Sequence, residues 1–473
     1  MTVSNFKRDL PILKDKLRAF FEGWAYPLAI ALLTLIGHVS GLEFYFNAIS
    51  MLAVSLALTL SRSFTVALPF MLTVVMQVNL RHSPGVPTWS DYYFTPCKLI
   101  TVIALILILA ASLIYFIIKN VIPKIKSGGV SKIPLFPSLI AFSCALLMNG
   151  VGGEWTTAGL IYAIAEVSVY FLLFYIVYYG LSDEPASALM DRLSYLALLV
   201  AAVIIGEMIF MFATYDGIFE GGALVKERIN LGWAIWNPIG FSLTVTIPLL
   251  MRGAMFSRTW WLYLAASILT WGFAVLTLSR NSLIFATLTL GACMIIACFK
   301  GNRRRTFRII TLSALIVAAL TLILLWSKIA SLLGDILERG FSDNGRFELW
   351  RIGLGNFLDA PVFGNGFFSY GETDVFEVAS FIPTLAHNTF IELLSACGIF
   401  GLIAYLYYRI STLKCFVKRP SFDKLMLALP IAVTLGMSLV DNFVFHFYTV
   451  FWYLICLAVA LKLDREAESK TDA

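Results

Sequence analysis

His387 is the side chain in this sequence best suited to acid–base chemistry. It is one of 4 histidines and lies in Ala386-His387-Asn388-Thr389, directly after a long hydrophilic segment. Imidazole titrates near neutral pH, so it can take a proton from a hydroxyl nucleophile. The alternative is a histidine that only satisfies hydrogen bonds at a membrane interface. On residue chemistry alone both interpretations stay open.

Basic residues stand where apolar segments begin. Arg228 precedes one such segment, Arg280 opens a second in Leu278-Ser279-Arg280, and His387 opens a third. If these segments are helices, each beginning offers unpaired N–H groups and partial positive charge, which favour anions. With Arg346 and Arg351 from the preceding hydrophilic segment, these residues predict one anion-binding pocket. The alternative is that each side chain separately anchors to lipid head groups.

Four carboxylic acids lie within apolar segments, where charge is costly and often functional. They are Glu166, Glu207, Glu392 and Asp441. Buried partners for tyrosine, serine or arginine would explain them equally well. Glu392 lies five residues after His387 and so projects from a different helix face, which makes it a poor partner for that imidazole.

Several catalytic motifs are absent from the sequence. It has no D-x-D, no G-x-x-x-x-G-K-[ST], no H-E-x-x-H and no G-x-S-x-G. We therefore expect neither a nucleotide-driven nor a metal-driven reaction, and we predict no metal site and no cofactor.

The composition defines the elements that must hold these residues. Of 473 residues, 59% are hydrophobic and only 14% are charged, and the mean hydropathy is +0.84. A soluble domain cannot bury that much apolar surface. This excludes a soluble enzyme, a nucleic-acid-binding protein, a collagen-like chain and a disordered chain, and it predicts an all-α polytopic membrane protein.

The apolar segments predict about 14 spans, because about 20 apolar residues cross a bilayer as a helix. Lys and Arg concentrate in alternate connecting segments, which predicts that both termini are cytoplasmic. The predicted organisation runs from a cytoplasmic amphipathic segment through spans 1–11, a large outer loop and spans 12–14 to a cytoplasmic tail. These parts comprise residues 1–23, 24–326, 327–386, 387–462 and 463–473.

The outer loop 327–386 has its own predicted structure. Apolar residues recur at helical spacing over 329–337 and again over 347–357, which predicts two amphipathic helices on the membrane surface. A glycine-rich turn follows in Gly364-Asn365-Gly366.

Several motifs resemble those of the bacterial O-antigen ligase/polymerase family. They are Gly345-Arg346-Phe347-Glu348-Leu349-Trp350, Pro361-Val362-Phe363-Gly364-Asn365-Gly366, Ala386-His387-Asn388-Thr389, Gly398-Ile399-Phe400-Gly401 and Thr277-Leu278-Ser279-Arg280. The resemblance is strongest over 346–401 and extends back to about residue 228. One departure concerns the segment after Arg228, which contains Trp236-Asn237-Pro238 where the family often has Pro-Asn.

The resemblance implies a GT-C-like, metal-independent glycosyltransferase that uses undecaprenyl-diphosphate-linked glycans. By this analogy Arg228, Arg280 and Arg346 hold the donor diphosphate, and His387 activates the acceptor hydroxyl. Asn388, Trp350 and Arg351 are candidate substrate contacts. Direct attack by that hydroxyl would invert the anomeric carbon.

We expect a surface-polysaccharide polymerase that joins lipid-linked repeat units. The alternative is a ligase that moves the finished polymer to a lipid A core, and a lipid-linked-oligosaccharide flippase is the non-enzymatic rival. The predicted location is the bacterial inner membrane, with the active site on the periplasmic face. Expected partners are the donor, a glycan or lipid A core acceptor, membrane lipids and a chain-length regulator, but no nucleic acid.

Overall fold

The protein is predominantly helical in the computed structural model, which describes residues 3–78, 95–128, 133–324, 326, 346–369 and 386–471. The helices before residue 220 are α1 (Val3–Glu22), α2 (Ala25–Ser40), α3 (Glu43–Leu60), α4 (Leu68–Thr73), α5 (Pro96–Phe116), α6 (Ile122–Gly128), α7 (Phe136–Leu147), α8 (Thr157–Val167), α9 (Phe174–Gly180) and α10 (Ala186–Thr214). The later helices are α11 (Trp236–Phe256), α12 (Trp260–Leu276), α13 (Arg280–Phe299), α14 (Arg304–Leu324), α15 (Arg346–Asp359), α16 (Thr389–Val417), α17 (Phe422–Met437) and α18 (Phe447–Thr471).

Seven helical segments among the described residues are long and apolar enough to cross a membrane, or up to eight if a bent pair is one span. They are Glu43–Leu60, Pro96–Ser127, Thr157–Gly180, Ala186–Thr214, Trp236–Phe256, Arg280–Phe299 and Thr389–Val417. The hydrocarbon core of a bilayer offers no hydrogen-bond partners to the backbone. A helix can cross it because its backbone groups bond to one another. The chain is thus an all-α, multi-pass membrane protein, as the composition predicted. The count of about 14, the cytoplasmic termini and the GT-C-like fold stay predictions.

The predicted N-terminal segment is helical. It forms α1, whose part Pro11–Glu22 meets α2 at a bend of 68°. A helix turned this sharply from its neighbour suits the predicted position along the membrane surface.

Helix α11 forms the centre of the bundle. Of its most apolar window 94% is buried, against 17% for the span that begins at Pro96. It packs against α10, α12, α13 and α17. This central position allows α11 to hold side chains of a site against several other helices.

A short β-hairpin precedes α11. Strand β1 (Phe219–Glu220) pairs antiparallel with β2 (Ala223–Leu224), with Phe219 opposite Leu224. Gly221 and Gly222 form the two-residue turn at φ 58° and 80°, a backbone that favours glycine at both positions. This hairpin is a small local exception to the all-α prediction.

Helix α16 is interrupted at Gly398, where φ is 62° and ψ is −161°. The segment 361–366, which follows α15, inserts at this break. The amides of Asn365 and Gly366 donate to the carbonyls of Ser395 (2.7 Å) and Ala396 (3.2 Å). The backbone groups that the break leaves without helical partners are thereby satisfied from outside the helix.

Carbonyl groups of the same segment also accept hydrogen bonds from the amides after the break. Ile399 donates to the Pro361 carbonyl at 2.9 Å and Phe400 to the Val362 carbonyl at 3.2 Å. Two motifs that are separated in the sequence, the one around Gly364 and the one around Gly398, are thus the two halves of one backbone joint.

Gly398→Ala should destabilise the protein. A Cβ at Gly398 would overlap the Val362 carbonyl, and the positive φ would strain any other residue. Such strain costs about 1–3 kcal/mol before the overlap is counted. We expect a fall in the thermal unfolding temperature of the detergent-solubilised chain.

Gly355→Ala is the matched control. Gly355 lies within α15, and a Cβ there meets no atom within 4 Å. Because alanine favours helix, this variant should be neutral or stabilising by up to about 1 kcal/mol. Equal stability of the two variants would contradict the proposed role of the joint.

The predicted outer loop is described over 346–369 and at residue 386. Helix α15 confirms that the second predicted amphipathic segment is helical. The predicted glycine-rich turn forms the joint with α16. The first predicted amphipathic helix, over 329–337, lies outside the described residues.

Candidate active site at the His387–Asp441 pair

His387 is paired with Asp441. Its Nδ1 lies 2.9 Å from the Asp441 Oδ1, and 42% of the His387 side chain is exposed, against 8% for Asp441. An ionised carboxylate only accepts hydrogen bonds, so the contact favours a proton on Nδ1. That tautomer leaves Nε2 as an acceptor, in a side chain that a substrate can reach.

Asp441 is itself held by two donors. Asn237 Nδ2 donates to its Oδ2 at 3.2 Å, and the Asn442 amide donates to its Oδ1 at 3.0 Å. Asn237 is the second residue of α11, so the central helix orients the carboxylate. The Trp236-Asn237-Pro238 order, which departs from the resembled pattern, therefore contributes a residue to this site.

The residue before His387 is fixed from two sides. The Ala386 amide donates to Glu392 Oε2, and the Ala386 carbonyl accepts from Trp350 Nε1, both at 2.8 Å. Glu392 thus positions the chain next to His387, and the carboxylate that contacts the ring is that of Asp441. Trp350 links helix α15 to the site, and its predicted substrate contact stays a prediction.

Asn388 is the N-cap of α16. Its Oδ1 accepts from the amides of Phe390 (2.9 Å) and Ile391 (3.2 Å), and its Nδ2 donates to the Leu439 carbonyl at 2.9 Å. The cap fixes the helix start, and the Leu439 bond ties it to the chain just before Asp441. His387, at φ 51°, is therefore held against its carboxylate by its neighbours. The predicted substrate contact of Asn388 stays a prediction.

Arg280 and Arg346 begin helices near a third cation. Arg280 is the exposed first residue of α13, and Arg346 is the half-buried first residue of α15. Burial lowers the pKa of Lys226, Glu227 raises it, and the charges of Arg280 and Arg346 lower it further. The two arginines therefore lie close enough to Lys226 to act on it electrostatically.

Lys226 also lies close to a residue of the helix that orients the histidine. Its Nζ lies 5.4 Å from the ring centre of Trp236, and the next residue, Asn237, holds Asp441. Trp236 and Asn237 thus bring Lys226 and the His387–Asp441 pair to the start of α11. Sequence reasoning missed Lys226, although its place two residues before Arg228 was a usable signal.

Two of the predicted arginines have carboxylate partners. Arg228 donates to the Gly217 carbonyl and, at 3.0 Å, to Glu220 on the β-hairpin. Arg351 binds Glu348 at 2.6 and 3.0 Å and is 74% exposed, and this hydrogen bonding lowers the pKa of Glu348. An anion would have to compete with these carboxylates, so Arg280 and Arg346 are the better-placed predicted ligands.

Asp441 is another residue of the candidate site that sequence reasoning did not assign. It was one of four acids in apolar segments, and nothing in the linear order linked it to His387. The other buried acids make different contacts. Glu207 Oε2, for example, accepts from Trp233 Nε1 at 2.7 Å.

The family comparison covers the core of this site. Residues 265–406 match the model of the O-antigen ligase family, a region that contains Arg280, Arg346, Trp350 and His387. No curated protein matches the chain. The match confirms the resemblance found in the sequence: residues 265–406 are similar to the O-antigen ligase family.

Proposed function

We propose that the protein is a metal-independent, inverting glycosyltransferase that uses a polyprenyl-diphosphate-linked glycan as donor. The observation that carries this proposal is the partly exposed His387 side chain, oriented through Asp441, near the start of α11, where Lys226 lies over Trp236 and feels the charges of Arg280 and Arg346. A base and a group of cations are the two requirements for displacing a diphosphate with a hydroxyl.

The proposed reaction proceeds in one displacement. His387 Nε2 takes the acceptor hydroxyl proton as that oxygen bonds to the anomeric carbon. The bond from this carbon to the diphosphate oxygen breaks, and its electron pair leaves with the diphosphate. Arg280, Arg346 and Lys226 stabilise the developing charge, and Asp441 stabilises the imidazolium.

Polymerisation of lipid-linked repeat units is the reaction we propose, at the periplasmic face of the inner membrane. Ligation to a lipid A core is the second candidate, and the description of the matched family as O-antigen ligase favours it. The two reactions share the donor and the proposed catalytic residues and differ in the acceptor.

The test is a reaction of purified chain in lipid with undecaprenyl-diphosphate oligosaccharide alone, analysed on a gel. A product ladder supports a polymerase, and transfer that requires added lipid A core supports a ligase. No transfer to either acceptor, with transport of the oligosaccharide across vesicles instead, would support a flippase and contradict the enzyme proposal.

Asp441→Asn should slow transfer about 10- to 1,000-fold, because the amide cannot stabilise an imidazolium and can present its donor to Nδ1. The measurement is kcat with saturating donor, together with the thermal unfolding temperature of the variant, which separates lost chemistry from lost folding. An unchanged rate would remove Asp441 from the mechanism.

Transfer should retain full activity in excess EDTA. In the proposed reaction, side-chain cations stabilise the leaving diphosphate in place of a divalent ion. Product formation with and without the chelator measures this directly. A rate that falls with EDTA and returns with added Mg²⁺ or Mn²⁺ would contradict the metal-independent reaction.

A further inference from the structure

A cavity of about 410 Å³ lies at the opposite end of α11 from the candidate active site. Its wall includes Arg252 near the end of α11, whereas Asn237 of the active site is in the first turn. At about 1.5 Å per helical residue, these positions are about 22 Å apart. The start of α2, the first turns of α10 and the start of α12 complete the wall, so the cavity lies where helices end, near one membrane boundary.

The cavity has aromatic walls. Trp24, Tyr195, Phe256 and Tyr263 all line it. Trp24 and Tyr195 pack edge to face at 5.2 Å between ring centres, and the Tyr195 hydroxyl donates to the Trp24 carbonyl at 3.3 Å. Aromatic rings around a cavity at a membrane boundary suit a ligand with an organic cation.

Asp191 and Arg252 line the cavity, and together with Asp423 behind Arg252 they form an ion-pair group with excess negative charge. Arg252, whose side chain is only 8% exposed, binds Asp191 at 2.7 Å and Asp423 at 3.0 Å. Two carboxylates on one guanidinium leave a formal charge of −1. The Asp191 side chain, which lines the cavity, is 63% exposed, so this charge is accessible to a ligand.

A positive charge lies beside the aromatic wall. The Arg192 guanidinium is 5.5 Å from the Trp24 ring centre, and its Nη2 donates to the Glu22 carbonyl at 2.7 Å. Trp24 thus has the cavity, with the Asp191 carboxylate, on one side and the Arg192 guanidinium on the other. This arrangement of opposite charges complements a zwitterion.

The rim of the cavity is apolar. Trp24 is 51% exposed, Leu262 39% and Phe256 36%. In a membrane protein such side chains face acyl chains, so a lipid can enter from the bilayer with its tails outside the cavity.

We propose that this cavity binds the head group of a phospholipid carrying a primary amine, phosphatidylethanolamine being the membrane lipid of that class. The ammonium lies between the aromatic rings and donates to Asp191, and the phosphate lies towards Arg192. A head group with a phosphate and no amine is disfavoured, because it has no cation to place against the aromatic rings and Asp191.

The test is native mass spectrometry of the full chain, released from detergent after incubation with equal amounts of phosphatidylethanolamine and phosphatidylglycerol of identical acyl chains. We expect about fivefold preferential retention of phosphatidylethanolamine, in keeping with an ammonium in an aromatic cavity. Equal retention of the two lipids, or more phosphatidylglycerol, would overturn the proposal. The readout is binding, so it is independent of any glycosyl transfer.

Substitutions of lining residues test whether the lipid binds in this cavity. Trp24→Ala and Asp191→Asn should each bring the preference close to parity. Trp261→Ala is the matched control, because Trp261 is 62% exposed on α12 and is not among the lining residues, and it should keep the full preference. Thermal unfolding in detergent without added lipid confirms that the variants are folded. Full preference in both cavity variants, or its loss in Trp261→Ala as well, would overturn the assignment to this cavity.

Discussion

His387→Ala should slow glycosyl transfer about 100- to 10,000-fold, because removal of a positioned general base costs a factor of this size. Donor binding should largely survive, since the cations near Lys226 are separate side chains. The measurement is product formation with saturating donor, together with the affinity of the variant for the lipid-linked donor.

His387→Gln distinguishes chemistry from folding. Glutamine can still donate a hydrogen bond to Asp441, but it has no nitrogen that accepts a proton at neutral pH. We therefore expect the same loss as in the alanine variant, with an unfolding temperature closer to that of the parent. Transfer at the parental rate in either variant would remove His387 as the base.

Arg280→Ala should both weaken donor binding and slow transfer. Hydrogen bonds to charged groups contribute about 1.5–3 kcal/mol each, which corresponds to about 10- to 150-fold. The effect on kcat/KM should exceed the effect on affinity, because negative charge on the diphosphate grows as its bond to the sugar breaks. Arg280→Lys should restore only part of the activity, since an ammonium lacks the bidentate geometry of guanidinium.

Arg305→Ala is the control for general charge effects. Arg305 is an exposed arginine in the first turn of α14, at the other end of the preceding helix α13 from Arg280. The Arg305→Ala variant loses the same charge as Arg280→Ala. Its rate of transfer should stay within about twofold of that of the parent, because surface substitutions usually have small effects. Equal losses in the two variants would indicate a nonspecific effect of net charge and would contradict a donor site at Arg280.

The composition by itself determined the class of protein. A chain with 59% hydrophobic residues cannot fold as a soluble protein. In hydrocarbon, a helix satisfies all of its backbone hydrogen bonds within one segment, so helices were the expected elements. The periodicity of 347–357 likewise predicted α15, because this signal depends only on residues close together in the sequence. The number of spans is a weaker inference, since helices such as Trp260–Leu276 and Phe136–Leu147 are shorter than a bilayer requires.

The sequence also identified individual groups at the site. The chemistry of imidazole and guanidinium does not depend on the fold. His387 and Arg280 were therefore recognisable from residue type and from their place at predicted helix starts, and Arg346 as a basic residue of the predicted outer loop. Their partners were not recognisable in this way. Sequence order carries no signal that Arg228 would pair with Glu220 or that Asp441, rather than Glu392, would orient His387.

Only the tertiary structure decided those partners. Asp441 is 54 residues from His387 and 204 from Asn237, and such contacts arise when helices far apart in the chain pack around α11. The joint between the Gly364 and Gly398 motifs has the same origin, because it is built from backbone groups that any residue carries. Local chemistry and hydropathy are properties of single residues and short segments, whereas hydrogen-bond partners are set by how the helices pack, and that is why the structure was needed to assign them.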